Sequence, residues 1–184
     1  MTVAAVILAA GAGTRFGGDK LRTLVRGTPL IELALEGPLE ARFDEVVVVT
    51  GASSLDDLIP EDVTILRNEQ WAEGQASSLG VGIDWCQRRG HSAAVVGLGD
   101  QPGVTAEAWE RIAGWPEGPI VVATYRGRRG HPVRLDAPVW SLIPTEGDQG
   151  ARALMSRRPE LVVEVACDGT PEDIDTREDL RRWT

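Results

Sequence analysis

The sequence is short of cysteine, of positive charge and of long apolar runs, and each shortage removes a class of protein. Two cysteines, Cys86 and Cys167, are too few for a disulfide scaffold, and their spacing matches no zinc site. A reducing, cytoplasmic setting is therefore expected. Nineteen basic residues stand against 28 acidic ones, a net charge of −9. A chain of that sign repels phosphate backbones, so no nucleic-acid partner is expected. The longest apolar run, Val3–Ala10, is too short to cross a bilayer, so no membrane partner is expected either. It lacks a basic leader and runs into Gly11–Gly18 instead of a small-residue cleavage site, so it does not read as a secretory signal. Of the two histidines, His91 reads as a surface loop residue, and His131 has no serine or cysteine partner at triad spacing.

What is present fits one soluble unit. A chain of 184 residues is the size of a single domain and can bury roughly 70% of its unfolded surface. Short β-branched runs at Val3–Ala9, Glu45–Thr50, Val63–Arg67, Ala93–Leu98 and Ile120–Tyr125 read as strands, several apolar at consecutive positions. Helical patterns separate them: 29–41 after Thr28 as a cap, 73–89, and 106–113 after Thr105. A short helix at 151–157, a last strand at 161–166 and a terminal helix opened by Thr176 and Asp179 at capping-box spacing complete the chain. The alternation predicts an α/β fold: three layers, with a doubly wound, mostly parallel sheet. Ligands of such sheets sit beyond the carboxyl ends of the strands, which directs attention to the loops after Ala9, Arg67, Leu98 and Tyr125.

The first of these loops, Leu8-Ala9-Ala10-Gly11-Ala12-Gly13-Thr14-Arg15-Phe16-Gly17-Gly18-Asp19-Lys20, is not a familiar phosphate motif. A dinucleotide fingerprint needs glycine where Phe16 stands, and a Walker A loop is broken by Asp19 and Leu21. Gly11 and Gly13 can nevertheless take positive φ and let backbone N–H groups approach an anion. Arg15 offers a planar fork for phosphate oxygens and Lys20 a point charge, both expected to be exposed. The alternative is a mobile surface loop with incidental charges.

This loop resembles the signature of the MobA-like NTP transferases, and within them most closely the molybdenum cofactor cytidylyltransferases. Further blocks resemble the family in order: Asn68–Gly74, Gly99-Asp100-Gln101-Pro102, Gly130-His131-Pro132, Gly147–Arg152 and Asp173–Thr176. The resemblance implies a Rossmann-like nucleotidyltransferase domain of glycosyltransferase-A type over residues 1–184, with nucleotide bound by about 1–105 and acceptor by about 106–184. It implies Mg²⁺-dependent transfer of a nucleoside monophosphate from an NTP, CTP by closest likeness, to a phosphorylated acceptor such as molybdopterin, with release of pyrophosphate. A molybdoenzyme or its chaperone is the protein partner it would imply.

The site residues follow from the two readings together. Arg15, Lys20 and Asp100 are the catalytic candidates, with Asp100 holding the metal just past the strand Ala93–Leu98; its alternative is an Asx turn. Asp175 is the second metal candidate by resemblance, although Asp-x-Thr before a helix is also an ordinary helix start. Leu8, Ala9, Ala10, Gly11, Gly13, Asn68, Ser77 and Ser78 join Arg15, Lys20 and Asp100 around the nucleotide; Ser77 or Ser78 could equally cap the following helix. His131, Gln149, Gly150 and Arg152, with a basic cluster of Arg128, Arg129 and Arg134, suit an anionic acceptor. Arg22, where relatives are commonly leucine-rich, is expected to border the acceptor. Relatives using GTP commonly carry glycine where this chain has Ala10, so the methyl group should favour a pyrimidine. Of the tryptophans, Trp85 and Trp109 read as core and only Trp71 lies beside the nucleotide segment. Three rival readings remain at this level: a guanylyltransferase or other MobA-like transferase with a different phosphorylated acceptor, an oxidoreductase with an unusual cofactor site, and a non-catalytic binder.

Overall fold

Strand β1 (Val3–Ala9) is buried on both faces, which is why it is apolar without alternation. Ala5, Ile7 and Ala9 enter one apolar cluster, and Ala4 and Val6 the cluster on the opposite side. The computed structural model describes residues 2–183. After β1 the chain makes a two-residue hairpin, β2 (Leu24–Val25) and β3 (Thr28–Pro29), then α1 (Leu30–Glu40), β4 (Glu45–Thr50) and β5 (Thr64–Arg67). It continues through α2 (Gln75–Arg89), β6 (Ala93–Leu98), α3 (Ala106–Ala113), β7 (Ile120–Tyr125) and β8 (Arg128–Asp136). Helix α4 (Gly150–Arg157), strand β9 (Val162–Ala166) and helix α5 (Arg177–Trp183) complete it.

Among the described residues, seven strands form one sheet in the order β5-β4-β1-β6-β8-β7-β9. All neighbours are parallel except β8, which runs antiparallel to β6 and β7. Helices α1 and α3 pack on one face with Ile174 and the flank of α5; α2 and α4 cover the other. The expected three-layer, mostly parallel α/β fold is the one observed. From β1 the chain steps outward to β4 and β5, then returns to the other side of β1 at β6. The loops after β1 and β6 therefore leave the sheet side by side, at the switch point where a crevice opens.

Local capping largely follows the sequence. Thr105 caps α3, its side chain accepting from the Ala108 amide at 3.3 Å. Trp109 is 2% exposed, a core residue as expected, and its truncation would cost about 3–5 kcal/mol. Three expectations are corrected. Thr28 does not cap α1; it pairs in β3, and Pro29 is the residue before the helix. Helix α2 begins at Gln75 because Gly74, at φ +111°, breaks from a 3₁₀ turn over Trp71–Glu73. His91 is buried at the amino end of the sheet, with Nε2 2.9 Å from Glu45 Oε2. The same carboxylate accepts from Thr64 Oγ1 at 2.8 Å and from Trp85 Nε1 at 3.0 Å. Burial works against the Glu45 charge, but these donors prevail and bring its pKa down to about 2.

Candidate active site

The loop after β1 is fixed through Phe16 and Gly13. Phe16, the residue that denies the loop a dinucleotide fingerprint, is buried in the core and anchors it. The Gly13 carbonyl accepts from the amides of Phe16 and Gly17 at 2.9 and 3.1 Å. Gly13 itself has φ +62°, and a Cβ there would stand 3.0 Å from Lys20 Cβ, so a side chain is excluded twice over. Gly11 does not take positive φ, contrary to expectation; it leaves open space where a Cβ would lie. Arg22 lies away from the acceptor candidates His131, Gln149, Gly150 and Arg152, its guanidinium on Asp57 at 2.8 and 2.5 Å.

Lys20 is delivered into a carboxylate pair, not into solvent. Its Nζ lies 2.6 Å from Asp100 Oδ2 and 2.9 Å from Asp175 Oδ1, and the side chain is 12% exposed. Burial disfavours the ammonium, but the two carboxylates outweigh it and hold the pKa above the ordinary lysine value. Arg15 meets the other Asp175 oxygen at 3.0 Å while remaining 77% exposed, as the loop reading expected.

Asp175 reaches this point on a strap formed by residues 168–176. The strap is laced to the loop after β6: the Ile174 amide donates to the Asp100 carbonyl at 3.0 Å and the Thr170 amide to the Gly103 carbonyl at 3.1 Å. Gln101, buried, donates from Nε2 to the Pro171 carbonyl at 2.9 Å and to Asp173. The capping box of α5 is made by Thr176 and Asp179: the Thr176 amide donates to Asp179 Oδ2 at 2.8 Å and the Asp179 amide to Thr176 Oγ1 at 3.1 Å. The Asp175 amide also donates to Asp179 Oδ2, at 3.2 Å, but its carboxylate takes no part in the cap and faces Lys20 and Arg15.

Among the described residues no group of three or more His, Cys, Asp or Glu side chains surrounds a common point. Mg²⁺ asks for less, since it takes one or two protein carboxylates and completes its shell with phosphate and water. Asp100 Oδ1 is buried and has no hydrogen-bond partner among the described residues, so an oxygen lone pair is available beside Asp175. The donor set fits a hard divalent cation.

The nucleotide candidates after β5 are gathered but engaged with one another. Asn68, 3% exposed, donates from Nδ2 to Ser77 Oγ at 2.9 Å and Ser78 Oγ at 3.0 Å, and accepts from the Gln70 amide at 2.9 Å. These polar atoms shape the loop. The start of α2 is covered: the Ala76 amide donates to the Gly147 carbonyl at 2.9 Å, and a Cβ on Gly74 would lie 2.6 Å from Asp148 Oδ1. Ala9 and Ala10 are buried at the end of β1. Beside Ala10, a Cβ on Gly51 would meet Ala10 Cβ at 2.8 Å and Trp71 Cβ at 2.6 Å, so these three residues make a tight corner at the ends of β1 and β4.

Beside the acceptor candidates, a cavity of about 470 Å³ opens between the sheet and α4. Its floor is apolar, with Leu8, Val96, Val122 and Met155, and its rim carries Arg126, Arg128, Arg129 and Arg152. His131, Gln149 and Gly150 line it too, as does Asp173 where the cavity meets the strap. His131 enters through a bulge: β8 pairs Val133 with Val122 and Gly130 with Ala123, leaving His131 and Pro132 outside the ladder. Burial, with Arg152 nearby, pulls the His131 pKa down to about 4, so the imidazole is neutral at pH 7. Arg134 does not belong to this cluster. It is 4% exposed, donates to the carbonyls of Ala113, Trp115 and Gly118, and pairs with Asp136 at 3.0 Å.

Three contributors had no role assigned from sequence. Gln101 was visible only as part of a Gly-Asp-Gln-Pro turn, and its function as a lace depends on a partner 70 residues away. Arg126 had the signal of a basic turn. Tyr125, the one tyrosine, had none.

The MobA-like NTP transferase domain matches residues 5–162 of the chain. Purine catabolism protein PucB of Bacillus subtilis (strain 168) is 26% identical over 188 residues, which cover 95% of this chain and 92% of PucB. The crystal structure of Rv0371c from Mycobacterium tuberculosis H37Rv superposes with a TM-score of 0.89 at 31% identity, covering 100% of this chain and 97% of that one. Its complex with manganese gives 0.82 at 29% identity, over 100% and 98% of the two chains. A nucleotidyl transferase from Methanothermobacter shares the fold, with a TM-score of 0.81 at 24% identity over 98% and 95% of the chains.

Proposed function

The chain belongs to the MobA-like NTP transferase family and is a nucleotidyltransferase, and from that premise we propose that it moves CMP from CTP to the terminal phosphate of molybdopterin, releasing pyrophosphate. The observation that carries this reading is the Lys20–Asp100–Asp175 cluster at the switch point, next to a cavity that pairs an apolar floor with an arginine rim. The first suits a triphosphate with a divalent cation, the second a flat organic acceptor bearing a phosphate. Residues up to about 105 would hold the nucleotide and those beyond it the acceptor, with two exchanges: Leu8 lines the acceptor cavity and Asp175 serves the nucleotide side.

In this reading Asp100 and Asp175 hold Mg²⁺, and Rv0371c, solved with manganese, supports a divalent cation here. The metal neutralises and orients triphosphate oxygens when bound. Arg15 and Lys20 bind the triphosphate and receive the growing charge of the leaving pyrophosphate, which is where fixed cations contribute most. The arginine rim aims an acceptor phosphate oxygen at the α-phosphorus. A terminal phosphate is already ionised near neutral pH, so the chemistry asks for no general base, and a neutral His131 serves as a hydrogen-bonding wall. A partner molybdoenzyme or chaperone would receive the product.

Pyrophosphate release measured with CTP, GTP or ATP, Mg²⁺ and molybdopterin tests the proposal. Faster turnover with CTP than with GTP or ATP, and with molybdopterin as acceptor, is the expected result. Preference for GTP would overturn the cytidylyl assignment, and turnover only with another phosphorylated acceptor would overturn the molybdopterin one.

A further inference from the structure

Lysine occurs once in this sequence; the other basic residues, eighteen of them, are arginine. The single lysine lies where a compact cation is needed, between two carboxylates at 2.6 and 2.9 Å. A guanidinium is planar and forked, whereas an ammonium is a point charge small enough to occupy the position of a metal ion. With Arg15 on the second Asp175 oxygen, the two carboxylates are matched by two cations. The remaining oxygen, Asp100 Oδ1, is buried and without a partner among the described residues. A divalent cation entering this cluster alone would meet an ammonium already in contact with both of its carboxylates.

We propose that Lys20 is a removable internal cation: it keeps the Asp100–Asp175 pair closed to free divalent metal, and an arriving triphosphate opens the pair by drawing the ammonium onto its own oxygens. The inference rests on the functional reading above, because the triphosphate is the key. The lysine stem can make the move, having four flexible carbons on a loop held by Phe16 and Gly13 behind it. Arg15, largely in solvent, can leave Asp175 in the same event. Metal and nucleotide then bind as a coupled pair, each favouring the other. A reactive metal site is thereby kept from filling unless there is a triphosphate to activate.

The test is binding of Mn²⁺ without nucleotide, read by the electron paramagnetic resonance of the free ion, to the wild-type chain and to Lys20→Met. Methionine keeps the volume and removes the charge. Circular dichroism and thermal melting report whether the variant is folded; if methionine prevents folding, Lys20→Gln, which retains a donor for the carboxylates, takes its place. The folded neutral variant should bind Mn²⁺ about tenfold more tightly than wild type, in line with removing a cation in direct contact with the ligands. Tightening of less than about threefold would overturn the inference. In a parallel arm, calorimetry follows an α,β-methylene analogue of CTP binding to wild type. If the analogue does not bind, the functional reading fails and this inference with it; if it binds and Mn²⁺ affinity is unmoved in the variant, the internal-cation inference alone fails.

Discussion

Tyr125 donates its hydroxyl to the carbonyl of His131 at 2.7 Å, a bond that crosses the bulge lifting His131 out of strand β8. The tyrosine ring is buried and lines the cavity proposed for the acceptor. Removing only its hydroxyl should loosen the bulge without emptying the core. Tyr125→Phe should therefore lose about 1 kcal/mol of stability and raise the KM for the acceptor while leaving that for the nucleotide unchanged. An equal rise in both would deny the bulge a specific role.

His131 gives the protein a pH dependence of known sign. Its folded pKa, about 4, lies below the ordinary histidine value of about 6.5, so between these limits the unfolded chain binds more protons. Stability from this group is complete above about pH 6.5 and falls as pH drops toward 4, by up to about 3 kcal/mol. Urea unfolding at pH 7 and pH 5 should show that slope in wild type and a flatter one in His131→Gln.

Glu45 acts in a lower window. Its pKa of about 2 is depressed from near 4.5, so its contribution is full above pH 4.5 and is lost as pH falls toward 2. Glu45→Gln should cost about 1–3 kcal/mol at pH 7, because Thr64, Trp85 and His91 lose a charged acceptor, and should flatten acid unfolding below pH 4.5. Turnover at pH 7, measured in the surviving folded fraction, should be unchanged, since the cluster lies at the opposite end of the sheet from the active site.

Shape-preserving removal of charge separates the roles of the two carboxylates. Asp100→Asn and Asp175→Asn should each reduce turnover by two or more orders of magnitude and raise the Mg²⁺ concentration needed for half activity. An Asp175→Asn enzyme with the wild-type Mg²⁺ dependence would reduce that residue to a counter-ion of Arg15.

Base choice should be read at the corner of Ala10, Gly51 and Trp71. Ala10→Gly removes one methyl group, worth about 1–3 kcal/mol of discrimination, and should narrow the preference for CTP over GTP without reversing it. Comparison of kcat/KM for the two nucleotides in wild type and variant decides the matter.

The sheet was legible because its strands are unusually explicit. Val3–Ala9, Glu45–Thr50, Ala93–Leu98 and Ile120–Tyr125 are apolar runs bounded by polar or glycine-rich segments, and they appear in the structure with those limits. Arg15, Lys20 and Asp100 were legible as cations and a carboxylate in loops that the topology sends to one edge. Their pairing was not. That Lys20 is buried between carboxylates depends on the strap, and the strap depends on Gln101 and on backbone bonds that leave no periodic trace. Arg134 misled for a related reason: Val133 beside it lines the cavity, whereas Arg134 pairs with Val121 and turns to the α3 side of the sheet, where it donates to the Ala113 carbonyl. His91 and Glu45 lie 46 residues apart, and nothing local in either segment announces their contact.

The strap has a consequence for the order in which the protein folds. Lys20 meets Asp100 across 80 residues and Asp175 across 155. Closing a loop of that length costs more chain entropy than pairing adjacent strands, and a single ion pair returns too little to drive it. The β1–β4 and β1–β6 ladders must first bring the loops of the switch point together, and the strap then settles on a surface already formed. The site is thus among the last parts of the molecule to be completed, and local opening of the strap would disable it while the sheet remained intact. Hydrogen exchange should accordingly find the amides of Thr170 and Ile174 less protected than those of β1.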